Sequence, residues 1–187
     1  MLGAVSDKSG LIAWRKRVGE EKANAISRNA TTRGTSMHQL CEDYLRNNNL
    51  DDLGSPSGNM LFRGIRPLLD NINNIRCLET ALYSTRLRVA GTVDCVAEYK
   101  NKLSVIDFKT ANKPKHEKWI TNYFVQGCFY FWAYYELTKE MPEQMAILIS
   151  VEDGTNQEFI LEKTDVIKYS DTLKNMVTEY YNRIEGF

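Results

Sequence analysis

The segment GTVDCVAEYKNKLSVIDFKT, from Gly91 to Thr110, contains two strand-like runs and the turn that joins them. Residues 92–99 and 103–109 are rich in β-branched, aromatic and other apolar side chains, and Lys100-Asn101-Lys102 between them is a tight-turn sequence. Side chains two apart on a strand share a face, so Leu103, Val105, Asp107 and Lys109 fall together, with Ile106 and Phe108 opposite. An apolar face that ends in a carboxylate and an ammonium is costly to bury unless the charges are paired or bind something. Closing the hairpin brings Asp94 to the same end of the sheet as Asp107. Two convergent carboxylates make a hard, oxygen-rich site suited to Mg2+ or Mn2+. An isolated Asp-x-Lys is most often a strand-end ion pair, and Asp94 at hairpin distance sets the metal site level with that reading.

Upstream, Ala81, Tyr83, Thr85, Leu87 and Val89 alternate with Thr80, Leu82, Ser84, Arg86 and Arg88, which predicts another strand from Glu79, broken at Gly91. The three strands form an antiparallel meander. Downstream, Lys113-Pro114-Lys115 closes it, and a long aromatic helix is predicted over 117–137. Strands over 145–151 and 158–161 flank the Asp153-Gly154 turn, and a last helix starts near Thr164. The chain before the meander reads as helical. One helix, capped by Asp7 or Ser9, runs from Leu11 past Trp14, Val18 and Ile26. Arg33-Gly34-Thr35-Ser36 interrupts the pattern and caps a second helix to Arg46. After a loop built on Asn47-Asn48-Asn49 and on residues 54–58, a third helix is expected from Asn59 to near Ile75, begun late or kinked at Pro67. The expected fold is therefore α/β, a central mixed sheet with an antiparallel meander, flanked by helices and preceded by a helical arm. One domain spans 1–187, helical over 1–75 and with the sheet core, long helix and C-terminal helix over 79–187.

The 187 residues, 43% of them hydrophobic, suit one compact core. Lys plus Arg and Asp plus Glu both total 24, a formal net charge of zero that argues against a non-specific nucleic-acid coat but not against local gripping of a strand. Basic clusters sit at Arg15, Lys16 and Arg17 and at Lys113, Lys115 and Lys118. No apolar run approaches the roughly 18 residues that span a bilayer, and the first ten residues lack a secretory pattern, so a cytoplasmic protein without membrane contact is expected. Cys41, Cys77, Cys95 and Cys128 have no paired spacing and read as core thiols rather than as zinc or iron–sulphur ligands.

Other residues add to the carboxylate pair. His38 and Glu42 share a helix face, and the backbone N–H groups of the Arg33-Gly34-Thr35 turn, with Arg33 itself, offer a phosphate site at a helix start. In the long helix Gln126 and Tyr130 are one turn apart, with Trp119, Tyr123 and Tyr134 nearby. Such an aromatic stripe is usually core, yet a Gln within it needs partners for its amide.

Taken in order, RGTxxH (Arg33 to His38), GTVD (Gly91 to Asp94), IDFKT (Ile106 to Thr110) and QxxxY (Gln126 to Tyr130) resemble the RecB-like branch of the PD-(D/E)XK nucleases, and within it the phage and mitochondrial genome-maintenance exonucleases. The resemblance covers about residues 14–151, with VD in place of PD in the second motif. It implies that His38, Asp94, Asp107 and the Phe108 carbonyl would ligate Mg2+ or Mn2+, with Glu79 a further candidate. Lys109 would orient the attacking water and steady charge on the phosphate, while Gln126 would position Lys109 or a water at the metal. Tyr130 would lie along the DNA backbone. Arg33, Thr35, Thr110 and Tyr123 are further DNA-contact candidates, with Trp14, Arg17, Lys113 and Lys115 farther out and Trp14 suited to stacking on bases. The C-terminal cysteine cluster of the iron–sulphur relatives is absent. The expected function is a metal-dependent DNA exonuclease acting on ends, favouring single strands, in recombination, repair or phage genome processing. DNA is then the main partner and a phage recombination or replication protein a further one, in the host cytoplasm if the chain is phage-encoded. The alternatives are an endonuclease of the same fold or a non-catalytic DNA-binding protein.

Overall fold

The computed structural model describes residues 9–50 and 54–186. Asp7, one of the two candidate caps, and most of the stretch read for a secretory signal lie outside them. The elements run α1 (Ser9–Val18), α2 (Glu20–Leu45), α3 (Pro56–Leu69), β1 (Ile72–Ser84), β2 (Val89–Tyr99), β3 (Lys102–Ala111), a 3-10 turn (Glu117–Trp119), α4 (Thr121–Thr138), β4 (Gln144–Val151), β5 (Asn156–Glu162), α5 (Lys163–Lys168) and α6 (Ser170–Glu185). The five strands form one sheet in sequence order. The β3–β4 pair is parallel and the other three are antiparallel, so the sheet is mixed, as expected. The parallel step needs a crossover, and α4 supplies it.

Helices cover both faces. Leu103, Val105, Met145, Ile147 and Ile149 point toward α4, α5 and α6, where they pack with Phe124, Val125, Cys128, Phe131 and Leu173. Ile106, Phe108, Ala146 and Leu148 point the other way, onto Met37, Leu40 and Cys41 of α2 and Leu61, Phe62 and Ile65 of α3. β4 is buried along its whole length, as a central strand covered on both faces must be. The α4 side is so tight that a Cβ built on Gly127 would lie 1.8 Å from Met145 Sδ. Gly127→Ala is therefore expected to destabilise the fold by about 1–3 kcal/mol through overpacking, read as a lower midpoint in urea denaturation. An unchanged midpoint would mean that Met145 repacks freely.

Several boundaries differ from the sequence reading. The interruption falls at Gly19, which takes φ 86°, and not at Arg33-Gly34-Thr35, which lies inside the unbroken α2. Two glycines competed for one break. Gly34 stays helical and lies against Thr110 at the end of β3, where a Cβ would sit 3.7 Å from Thr110 Oγ1. The α3 helix begins at Pro56, capped by Ser55 Oγ accepting from the Gly58 N–H at 3.1 Å, and ends at Leu69, so that β1 already starts at Ile72. Pro67 is accommodated within it. The alternation over Thr85 to Val89 turns instead of continuing, because Glu136 of α4 accepts from the Thr85 N–H and from the Ser84 and Thr85 hydroxyls. Gly91 is an interior strand residue, not a break; a Cβ there would meet Tyr130 Oη at 2.8 Å.

Candidate metal and phosphate site

The site forms where the sheet changes face. On β1, Leu78 packs in the α2/α3 core and Leu82 in the α4 core, although residues an even number apart should share a face. On β2, Val93 and Cys95 divide in the same way. Between these residues stand Glu79 and Asp94, opposite one another between the pairs Leu78↔Cys95 and Thr80↔Val93. Glu79 has φ 46°, a left-handed conformation that a non-glycine strand residue adopts only under constraint. The two carboxylates therefore project at the seam between the two cores. The β2–β3 ladder also stops here, at Cys95↔Ile106, and the Phe108 N–H donates instead to Asp94 Oδ2 at 2.7 Å.

From α2, His38 reaches the same seam, its Nδ1 3.6 Å from Asp94 Oδ2. His38, Glu79 and Asp94 each offer a ligand atom within 4.8 Å of the others, the one such group among the described residues. Gly34, Thr35, His38, Gln39, Glu42 and Glu79 line an open cleft of about 360 Å³ over it. Burial lowers His38, against the pull of Asp94, which favours a neutral imidazole with a free lone pair; the Phe108 carbonyl accepts from the ring and so faces the same space. Glu79 is pushed up to about 7 by burial and then by Asp94 and Glu42, with Arg46 opposing. Behind the site, burial raises the Cys41 and Cys95 thiols, and Asp94 and Glu79 add to it. Glu79, Asp94 and Glu42 thus crowd one another, with Arg46 bonded to Glu42.

Asp107 is not part of that tight group. It is 2% exposed, on the α4 side, with Lys109 Nζ 2.5 Å from its carboxylate. Burial pushes the Asp107 carboxyl up, and Lys109 opposes this. Burial alone would lower the ammonium, but Asp107 and Asp94 outweigh it and keep Lys109 charged. The α4 helix supplies the rest: the Tyr123 ring lies 5.4 Å from Lys109 Nζ, and Tyr130, raised by burial, takes a hydrogen bond from Gln126 and feels Asp94, Asp107 and Lys109.

Of the residues singled out in the sequence, His38, Glu79 and Asp94 converge, with the Phe108 N–H on Asp94, while Asp107, Lys109, Tyr123, Gln126 and Tyr130 form a second cluster on the α4 side; Thr35 lines the cleft and Thr110 lies against Gly34. Arg33 is different. Its guanidinium donates to Glu152 and to Asn112, a clamp that joins α2 to the loops after β4 and β3. With the surrounding backbone helical, the phosphate nest expected at Arg33-Gly34-Thr35 does not form. Trp14 and Arg17 lie on α1, which buries none of its residues. Lys113 is exposed and Lys115 half-buried in the loop that leaves β3. The four cysteines are free thiols, three buried and Cys77 half-buried.

Comparison with known proteins agrees with this architecture. The sequence model of the PD-(D/E)XK nuclease superfamily matches residues 60–185, and the chain belongs to that superfamily. Among individual relatives it is similar to mitochondrial genome maintenance exonuclease 1 of Homo sapiens, at 33% identity over 110 residues, covering 54% of this chain and 31% of the human protein. The Mus musculus protein is 33% identical over 116 residues, covering 54% and 32%. The matched region thus spans about a third of the length of these relatives. A solved structure provisionally described as an exonuclease from Eubacterium rectale superposes with a TM-score of 0.57 at 13% identity, over 81% of this chain and 66% of that one, a likeness of fold. No helix among the described residues is long and apolar enough to cross a membrane.

Proposed function

We propose that this nuclease is a divalent-metal-dependent DNA exonuclease that degrades ends, with a preference for single strands. The observation that carries the reading is the convergence of His38, Glu79 and Asp94 within 4.8 Å beside the pair of half-buried Lys109 and buried Asp107. The donor set fits a hard cation with some nitrogen affinity: two carboxylates and one neutral imidazole. His38, Glu79 and Asp94 would hold it, with the Phe108 carbonyl and Asp107 at the margin. A bound Mg2+ or Mn2+ would screen the phosphate's charge and lower the pKa of an attacking water. Lys109 places a fixed positive charge where the phosphate accumulates its own in the transition state, and Asp107 holds that ammonium in position. Tyr123 closes over the lysine, while Gln126 and Tyr130 give the strand a polar wall. The imidazole ligand favours Mn2+ at least as much as Mg2+.

The relatives' names support exonucleolytic work in genome maintenance. From the motif resemblance we propose a role in recombination, repair or phage genome processing, in the cytoplasm of its cell or host, with DNA as its partner and a phage recombination or replication protein as a second one. The chemistry is tested with an end-labelled linear single strand in Mn2+. Progressive shortening that EDTA abolishes, with a closed circle of the same sequence left intact, is the expected result. Cutting of the circle at the same rate would identify an endonuclease, and binding without cleavage a non-catalytic protein.

A further inference from the structure

The sequence placed Trp119 in an aromatic stripe of the kind that is usually core, but it is 76% exposed, more than any other exposed large hydrophobic among the described residues. It stands on a rigid base. The Trp119 and Ile120 N–H groups donate back to His116 and Glu117, the Tyr123 N–H donates to the Ile120 carbonyl, and Ile120 itself is 1% exposed. On the upstream side, the Lys115 backbone bonds twice to the Gln157 side chain, at 2.6 and 2.9 Å. The fold thus holds the indole outward on an anchored turn. The His116 ring lies 5.8 Å from it, tilted by 51°. Lys113, Lys115 and Lys118 flank the pair along the chain, with Glu117 the one acid between Asn112 and Trp119.

This ledge is continuous with the site. Trp119 ends the 3-10 turn that leads through Ile120 into α4, four residues before Tyr123, and Tyr123 lies against Lys109. The hydrogen bond from the Tyr123 N–H to the Ile120 carbonyl ties the turn directly to the first turn of α4, whose Tyr123 covers the lysine.

We propose that Trp119, with His116 beside it, is a stacking platform for an unpaired base of single-stranded DNA, positioned next to the nucleotide being cleaved, with Lys113, Lys115 and Lys118 on the adjacent phosphates. The inference rests on the nuclease reading above. Every base offers a π-face, so the platform is tolerant of sequence. A paired base has both faces occupied by its neighbours, so the platform selects single strands over duplex. A docked protein would also cover an exposed indole, but the lysines flanking it along the chain and its continuity with Lys109 favour a polyanion.

The test measures binding of a labelled single strand, by anisotropy, with Ca2+ replacing Mn2+ to arrest cleavage. Trp119→Ala is expected to weaken binding about tenfold, while Trp119→Phe retains most of it and duplex binding is unchanged. An abasic site walked along the strand should weaken binding by the wild type at one position and have no effect there on Trp119→Ala. Because the side chain is exposed, the melting temperature should not move. Wild-type affinity in Trp119→Ala, with Mn2+-dependent cleavage of single strands intact, overturns the platform and leaves the nuclease reading standing. Equal losses in Trp119→Ala and Trp119→Phe with no abasic-sensitive position overturn it too, as a structural effect. A wild type that neither binds nor cuts DNA removes both.

Discussion

Lys109→Ala is expected to slow DNA hydrolysis by about 10²–10³-fold, the loss that follows removal of a preorganised charge at a transition-state oxyanion. It should also damage the fold in a pH-dependent way. Asp107 is 2% exposed, and its carboxylate has Lys109 as its partner. Removing the cation leaves a buried charge, which costs about 3–5 kcal/mol when nothing replaces the partner. The carboxyl can escape by taking a proton, since burial already pushes its pKa up. An acid whose pKa is raised on folding binds more protons folded than unfolded, so its contribution to stability falls as pH rises from the ordinary carboxylate range toward the raised value. Lys109→Ala should therefore unfold at a lower urea concentration at pH 8 than at pH 5, and adding Asp107→Asn should recover most of the difference without restoring activity. A single variant that cuts within threefold of wild type would remove Lys109 from the chemistry.

Saturating Mn2+ is expected to raise the melting temperature by about 5–10 °C at pH 8 and by much less near pH 5. A ligand at a hundred times its dissociation constant stabilises the folded state by about 2.7 kcal/mol, and at this chain length each kcal/mol moves the midpoint by roughly 2–4 °C. The pH dependence comes from Glu79, whose carboxyl is raised from 4.5 to about 7. Its folded pKa is the higher, so the metal-free protein loses stability as pH rises from about 4.5 through 7. The cation reverses that loss by accepting the ionised carboxylate. Glu79→Gln should flatten the metal-free profile and weaken the Mn2+ effect. A shift as large in Glu79→Gln as in wild type would exclude Glu79 from the ligands.

The meander, crossover helix and second hairpin were legible because their patterns are local. Leu103, Val105, Asp107 and Lys109 announce a two-residue period, and the run from Met145 to Val151 has the length of a strand buried on both faces. The Asp94–Asp107 approach followed from a short turn. What escaped was decided at a distance. Thr85 and Leu87 keep the strand alternation, yet the chain turns there because a carboxylate from α4, some fifty positions on, accepts from Ser84 and Thr85. Nothing next to Gly34 says that the helix will run on through it with Thr110 lying against it. Arg33 looked like a phosphate ligand because its partners, Asn112 and Glu152, are brought to it only by the finished fold. Glu79 gained weight for the same reason: its opposition to Asp94 depends on a face reversal that neither strand's pattern displays. Trp119 sat at helical spacing with core aromatics, and only the tightening of the chain into a 3-10 turn just before α4 sends it outward.

The left-handed backbone at Glu79 makes position 79 a point where two kinds of selection would pull apart. Glycine or asparagine adopts that conformation at little cost, whereas glutamate holds it under strain and sets a further carboxylate beside Asp94 and Glu42. A library of this chain sorted only for heat resistance would drift toward Gly or Asn at 79, and the same library sorted for cleavage of DNA would return to Glu. Durability and activity compete at that residue, so a stabilised variant for use at high temperature is best sought elsewhere in the chain.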